Sequence, residues 1–400
     1  MRRELQQSVI QRNTRVSLER ELALFKPDSR PLNRTESAEF MATLQTRLGS
    51  QVERKTEVVE EVAPNAVEIK ICLSTVGELR EDVRRVYAVL AEVANECGVY
   101  VLGCSQPTTD GITHDTTHFM TLDVFKATIG PLAATNSLHL HFGGATDEEL
   151  VAIYNAGNRI APIMLAASQC AVIDGRERGR ANSVRDFFSS LPPALAAPWT
   201  ISNREDFENG VRSAIKAVEM QIGAFSPEYL AVLASRYPDF IGADGRMKKL
   251  SPDKIFHPTR LRFDKVLPEL GLVGSAEFRP IDAQPTLSRD LAILELAIGL
   301  LIHETAYNPA PLSREEIGQI MHSMANVADF GMGAIMWNGL SNEYVAKVRA
   351  MEALMGIGLT PQSLHTFGID GGASELAIMS SLSPADIIRI NHARFMKSVE

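Results

Sequence analysis

Four short segments alternate apolar and polar residues with a period of two, and this constrains the fold more than any other feature of the chain. Val16 to Phe25 sets Val16, Leu18, Leu22 and Leu24 on one face and Ser17, Glu19 and Glu21 on the other. Ala66 to Cys72 opposes Val67, Ile69 and Ile71 to Glu68 and Lys70, and Ser137 to Gly143 opposes Leu138, Leu140 and Phe142 to His139 and His141. Gly274 to Pro280 opposes Ala276 and Phe278 to Glu277 and Arg279. A chain with one apolar and one polar sheet face must cover the apolar face with something, and the intervening segments read as helices. Thr75 and Glu78 form a capping box that opens a helix through Leu79, Val83, Val86, Leu90 and Val93. Thr146 and Glu149 open another, which should kink at Pro162, and Leu287 to Ile302 reads as a buried helix. The expected fold class is α+β, a mainly antiparallel sheet with helices packed on one face. From about Pro311 the signals are almost wholly helical, which suggests a catalytic unit over 1–310 and a helical C-terminal subdomain over 311–400.

The polar faces are unusual in what they carry. Carboxylates, imidazoles and one guanidinium dominate, where a solvated sheet would show Thr, Ser and Lys. Side chains at i and i+2 stand roughly 6.5–7 Å apart on one face, a spacing that can ligate neighbouring divalent ions. Taken singly, Glu19-x-Glu21 is also what a solvated face would show, and Glu277-x-Arg279 what a cross-strand ion pair would show. His139-x-His141 is more specific, because packing rarely calls for two imidazoles on one strand face. As a set on four strands they point to a water-facing metal site. Mg²⁺ suits the oxygen ligands, and the imidazoles would let Mn²⁺ in as well.

Composition closes off several alternatives. A net charge of -9 over 400 residues argues against nucleic acid as the main partner, since phosphate contacts need clustered cations. Four cysteines without a C-x-x-C pair suggest neither a zinc ribbon nor a disulfide framework, and a cytoplasmic setting is the simplest. The N-terminus develops no apolar core of a signal peptide, and Leu291 to Ile302 is too short to span a bilayer and carries Glu295, so no membrane association is expected.

In this order, E-x-E, H-x-H and E-x-R resemble the glutamine synthetase superfamily, and within it the glutamate–cysteine ligase family 2, or carboxylate–amine ligase, branch. The early G-V-E-x-E strand of that family is similar to Ser17 through Leu22, and its V-E-L-x-T strand to Val67 through Lys70. Its H-V-H-V-G strand matches His139 through Gly143, and its G-T-x-E-x-R-x-x-D segment matches Gly274 through Asp282. A helix resembling P-L-L-L-A-L-S begins at Pro162, and the loop from Gly175 to Arg185 resembles G-x-x-x-G-x-A-S-x-R with one residue inserted. The resemblance implies an ATP-dependent ligase that activates a carboxylate as an acyl phosphate and joins it to an amine, both being small molecules. By the same resemblance Glu19, Glu21, Glu68, His139 and Glu277 would hold Mg²⁺, and His141 would meet a phosphate or nucleotide oxygen. Arg279 would stabilise the moving phosphoryl group, Arg185 would clamp the acid or a phosphate, and Arg260 and Arg262 would be phosphate or carboxylate contacts. Asp282 suits a turn or cap better than a general base. A homodimer would be in keeping with the family. Three departures stand out: Gln106 replaces a histidine, Asp329-Phe330 replaces an arginine-bearing element, and Ser17 replaces a glycine. They fall where substrate groups would be read, and speak against glutamate and cysteine as the substrate pair.

Overall fold

A computed structural model describes residues 15–52, 56–61, 65–103, 136–168, 196–222, 257–263, 267–284, 286–330 and 384–399. The four alternating segments all form strands of one antiparallel sheet. In chain order, β1 is Arg15–Phe25, followed by helix α1 (Arg34–Gln51), β2 (Thr56–Glu60) and β3 (Ala66–Thr75). Next come α2 (Val76–Glu96), β4 (Tyr100–Leu102), β5 (Leu138–Gly144), α3 (Asp147–Ala167) and α4 (Arg204–Ile222). The rest comprises β6 (Thr259–Arg262), β7 (Gly274–Phe278), α5 (Leu287–Tyr307), α6 (Arg314–Phe330) and α7 (Pro384–Val399). The strand order is β2-β3-β1-β5-β7-β6, and β4 takes over from β5 beside the last residues of β1.

The apolar residues of the alternating strands enter one core. Val16, Leu18, Leu22 and Leu24 of β1, Val67, Ile69 and Ile71 of β3, and Leu138, Leu140 and Phe142 of β5 pack with α1, α2, α3 and α5. Burying that face is the main stabilising contribution, at about 25 cal/mol for each Å² of apolar surface withdrawn from water. The C-terminal α7 joins the same core through Phe395, which lies 5.9 Å from the Tyr87 ring. A second core gathers Leu150, Tyr154 and Leu165 of α3 with Phe207, Leu261, Ala276 and Ile320. α3 is buried on both flanks, and its polar residues act as tethers for neighbouring segments.

The clearest tether holds the edge strand β6. The Asn158 amide donates to the Thr259 carbonyl and accepts from the Thr259 N–H, at 3.4 and 3.2 Å. It thus serves the backbone groups that an edge strand leaves unpaired. Gly157 beside it must lack a side chain, since a Cβ there would meet Thr259 Oγ1 at 2.2 Å. β6, in turn, presents Arg260 and Arg262 to the polar face.

The capping box at Thr75 and Glu78 forms as expected. At Thr146 only half of it does: the hydroxyl accepts from Glu149 N–H, while the Glu149 carboxylate takes the N–H of Ala145. The helix runs through Pro162 to Ala167. A third box, Asn33 with Glu36, starts α1 and was not anticipated. One charge sits on the apolar side of β1: Arg20, 1% exposed, donates to Asp290 at 2.6 Å and to the Gln284 carbonyl at 2.7 Å. Tyr87 donates to the same Asp290 oxygen at 2.6 Å, and the guanidinium stands over the Tyr87 ring. The network pins β1 to α2 and α5 between the two carboxylates of Glu19-x-Glu21.

Candidate active site

Strand register turns the separate sequence pairs into rows across the sheet. Lys70, Glu19 and His139 lie abreast on β3, β1 and β5. The next row on one side sets His141, Glu277 and Arg260 abreast on β5, β7 and β6. On the other side Glu68 faces Glu21. The structure therefore brings together Glu19, Glu21, Glu68, His139, His141, Glu277, Arg279, Arg260 and Arg262. Arg185 and Gln106 lie outside the described residues, and Asp329-Phe330 closes α6.

The expected openness to water is corrected. Glu277 is 1% exposed, Glu68 4%, His139 6% and His141 8%. Charges so enclosed need partners, and their partners divide the site into two halves.

Around Glu19 the surroundings are anionic. Glu21 accepts from the Ser137 N–H and hydroxyl, both at 2.6 Å. With that hydroxyl proton committed, His139 Nε2, 2.7 Å from Ser137 Oγ, must be the donor of the pair. The other nitrogen, Nδ1, is buried 3.5 Å from Glu19 Oε2 and makes no hydrogen bond. His141 Nε2 is likewise without one, 3.3 Å from the same carboxylate oxygen. Two imidazole nitrogens and a carboxylate oxygen that converge without hydrogen-bonding one another make a donor set that fits a divalent ion. Among the described residues three groups bring ligand atoms within 4.8 Å of one another: Glu19, His141 and Glu277; Glu19, Glu68 and His139; and Glu21, Glu61 and Glu68. Burial together with the charges of Glu19 and Glu61 pushes the Glu68 carboxyl up to about 8. Burial also raises Glu21. Carboxylates crowded in this way call for cations, and Lys70 Nζ supplies one at 3.1 Å from Glu19 and 2.5 Å from Glu68.

Around Glu277 the surroundings are cationic. Arg260 grips its carboxylate with two hydrogen bonds of 2.7 and 3.1 Å. Arg262 and Arg279 approach it at 3.4 and 3.3 Å. Burial alone would raise Glu277, but Arg279 and Arg260 outweigh it and hold the group well below the usual carboxylate range. Burial, with Arg279 close by, brings Arg260 down to about 10. Three guanidiniums converge on this carboxylate, and such planar, forked donors suit a phosphate group. Glu277 belongs to both halves, as a possible ligand with Glu19 and His141 and as the anchor of the arginines.

Sequence reasoning missed Glu61, Lys70 and Ser137. Glu61 ends a run with Glu57 and Glu60 that reads as a solvated edge, and only pairing of β2 with β3 carries that end of the chain towards Glu68. Ser137 could have been found as the i−2 neighbour of His139. Asp282 is fully buried, its backbone is bridged to Ser137, and its N–H donates to Ser168 Oγ.

A buried sheet face divided between carboxylate–imidazole and guanidinium halves has the donor types that suit divalent ions on one side and phosphate on the other. A family model, glutamate–cysteine ligase family 2, matches residues 15–317, so the chain belongs to that family and is an ATP-dependent carboxylate–amine ligase. Among solved structures, the glutamate–cysteine ligase of Francisella tularensis in complex with AMP is similar over 97% of this chain and 93% of its own, with a TM-score of 0.56 and 11% identity. A bifunctional glutathione synthetase from Pasteurella multocida is similar over 98% of this chain and 50% of its own, with a TM-score of 0.52 and 14% identity. At these identities the likeness is one of fold. None of the curated proteins matches the chain. Among the described residues no helix is long and apolar enough to cross a membrane.

Proposed function

We propose that the chain activates a small carboxylic acid, an amino acid or a related metabolite, as an acyl phosphate, and transfers the acyl group to an amine. The observation that carries this reading is the pair of orphaned imidazole nitrogens facing Glu19 beside the three-arginine grip on Glu277. Glu19, Glu21, Glu68, His139 and Glu277 would hold Mg²⁺, with Mn²⁺ accepted because imidazoles take part. His141, expected at a phosphate or nucleotide oxygen, is assigned to the same ions because its Nε2 points to Glu19. We add Glu61 to them on the strength of its grouping with Glu21 and Glu68. Bound divalent ions would neutralise the phosphate oxygens of ATP.

The protein's own part is positioning and charge. Arg279, Arg260 and Arg262, gathered around Glu277, would receive the γ-phosphoryl oxygens. As the bond to the β-phosphate oxygen breaks and a bond to the acid's carboxylate oxygen forms, they stabilise the charge in transit. ADP departs. The amine nitrogen then attacks the acyl carbon, phosphate leaves with the former carboxylate oxygen, and the amine loses a proton. Burial of Glu277 and the imidazoles keeps water, a competing nucleophile, from this face.

The test is ADP release with Mg-ATP against paired acid and amine libraries, with products weighed by mass spectrometry. An amide with free phosphate is expected. A product that keeps the phosphate would make the protein a phosphotransferase instead, and Mg-ATP binding without turnover of any pair would overturn the catalytic reading.

A further inference from the structure

Lys70 has no part in the chemistry above, yet its side chain enters the anionic half of the site. It stands abreast of Glu19 across the β1–β3 pairing and two residues from Glu68 on the same face of β3. Its Nζ lies 3.1 Å from Glu19 and 2.5 Å from Glu68, in both cases from Oε1. Those two carboxylates, with His139, form one of the three ligand groups, and the third member's Nδ1 is buried and without a hydrogen bond. An ammonium bridging two carboxylate oxygens sits where a metal ion shared by them would have to sit. With its side chain 32% exposed, Lys70 reaches this point along the sheet surface from the solvent side.

We propose that Lys70 is a built-in cation that takes the place of one divalent ion between Glu19 and Glu68. The inference rests on the metal–ATP reading above and narrows it. An ammonium supplies one positive charge and three hydrogen-bond donors, but no empty orbital and no open coordination position for a phosphate oxygen. A divalent ion arriving at the same two oxygens would meet the full repulsion of a neighbouring cation. The group of Glu19, Glu68 and His139 is therefore neutralised from within the chain. Divalent ions load at Glu19, His141 and Glu277, and at Glu21, Glu61 and Glu68, which takes His139 out of the ligand set given above. The site holds one ion fewer than its carboxylates would otherwise take, and its middle charge is fixed whatever the metal supply.

The experiment counts Mn²⁺ on the full chain, reading free Mn²⁺ by electron paramagnetic resonance during titration of the wild type, Lys70→Met and Lys70→Arg. Lys70→Met should bind one more Mn²⁺ per chain than the wild type, while Lys70→Arg, which keeps the charge, should bind the wild-type number. Lys70→Gln repeats the test with a different uncharged side chain, and thermal melting checks that each variant is folded. Equal, non-zero counts in the wild type and both uncharged variants would overturn the role of Lys70 and leave the metal–ATP reading standing. No saturable Mn²⁺ binding by any of them would overturn both.

Discussion

At Glu277 one carboxylate answers three guanidiniums, and its removal should be felt twice. Glu277→Gln takes a ligand from the ions and leaves Arg260, Arg262 and Arg279 short of a counter-charge in a buried place. Breaking a buried ion pair from one side typically costs about 3–5 kcal/mol. We therefore expect the variant to lose ADP release by about a hundredfold or more and to melt well below the wild type. Activity and melting temperature measured on the same preparation check both halves of that statement. The sequence alone supports only the first, because alternation reports that Glu277 lies on the polar face but not that this face is covered. Register was hidden for the same reason. Nothing in Glu19-x-Glu21 or His139-x-His141 says that Glu19 stands abreast of His139 and Lys70, and that alignment turns the pairs into ligand groups.

Among the elements, β1, β3, β5 and β7 were legible because each alternates over at least five residues against a run of aliphatic side chains. β4 and β6 were not: three and four residues are too short for a period to declare itself. β6 becomes a strand through its neighbours, by pairing with β7 and through the Asn158 amide on its other side. Gly157→Ala, which would drive a Cβ into Thr259, should cost about 1–3 kcal/mol. By displacing Arg260 and Arg262 it should also raise the KM for ATP more than it lowers kcat, and steady-state kinetics with a denaturation curve would show both. The network of Arg20, Asp290 and Tyr87 was equally invisible, since its partners are hundreds of residues apart. Arg20→Met and Asp290→Asn should each destabilise the fold, and the double variant should lose less than the two together, with a coupling of about 0.5–3 kcal/mol in urea unfolding.

At the level of the whole molecule, one buried imidazole should set part of the acid response. His257 is fully buried, with Nδ1 hydrogen-bonded to the Tyr154 hydroxyl at 3.0 Å and its ring 4.3 Å from that of Trp199. Burial, with Arg260 nearby, pushes it from the ordinary 6.5 down to about 3. Between those values the unfolded chain binds a proton that the folded chain refuses. Stability therefore falls as pH drops from 6.5 towards 3, and His257 adds no slope above 6.5. The slope amounts to about 1.4 kcal/mol per pH unit where the difference is complete. Urea midpoints taken from pH 7 down to pH 4 should fall less steeply in His257→Gln than in the wild type.

The strand order also governs when a new chain can become an enzyme. β1 is made well before its neighbour β5 and the row beyond: Glu277 on β7 follows Glu19 by more than two hundred and fifty residues, and β5 follows β1 by more than a hundred. At about 5–20 residues per second, Glu19 waits roughly 13–50 s for Glu277 to be made. Over that interval the growing polypeptide carries carboxylates without the arginines that would grip a nucleotide. A product truncated before β6 therefore lacks the arginines and Glu277 together, and the two halves of the site meet only once β7 has been made.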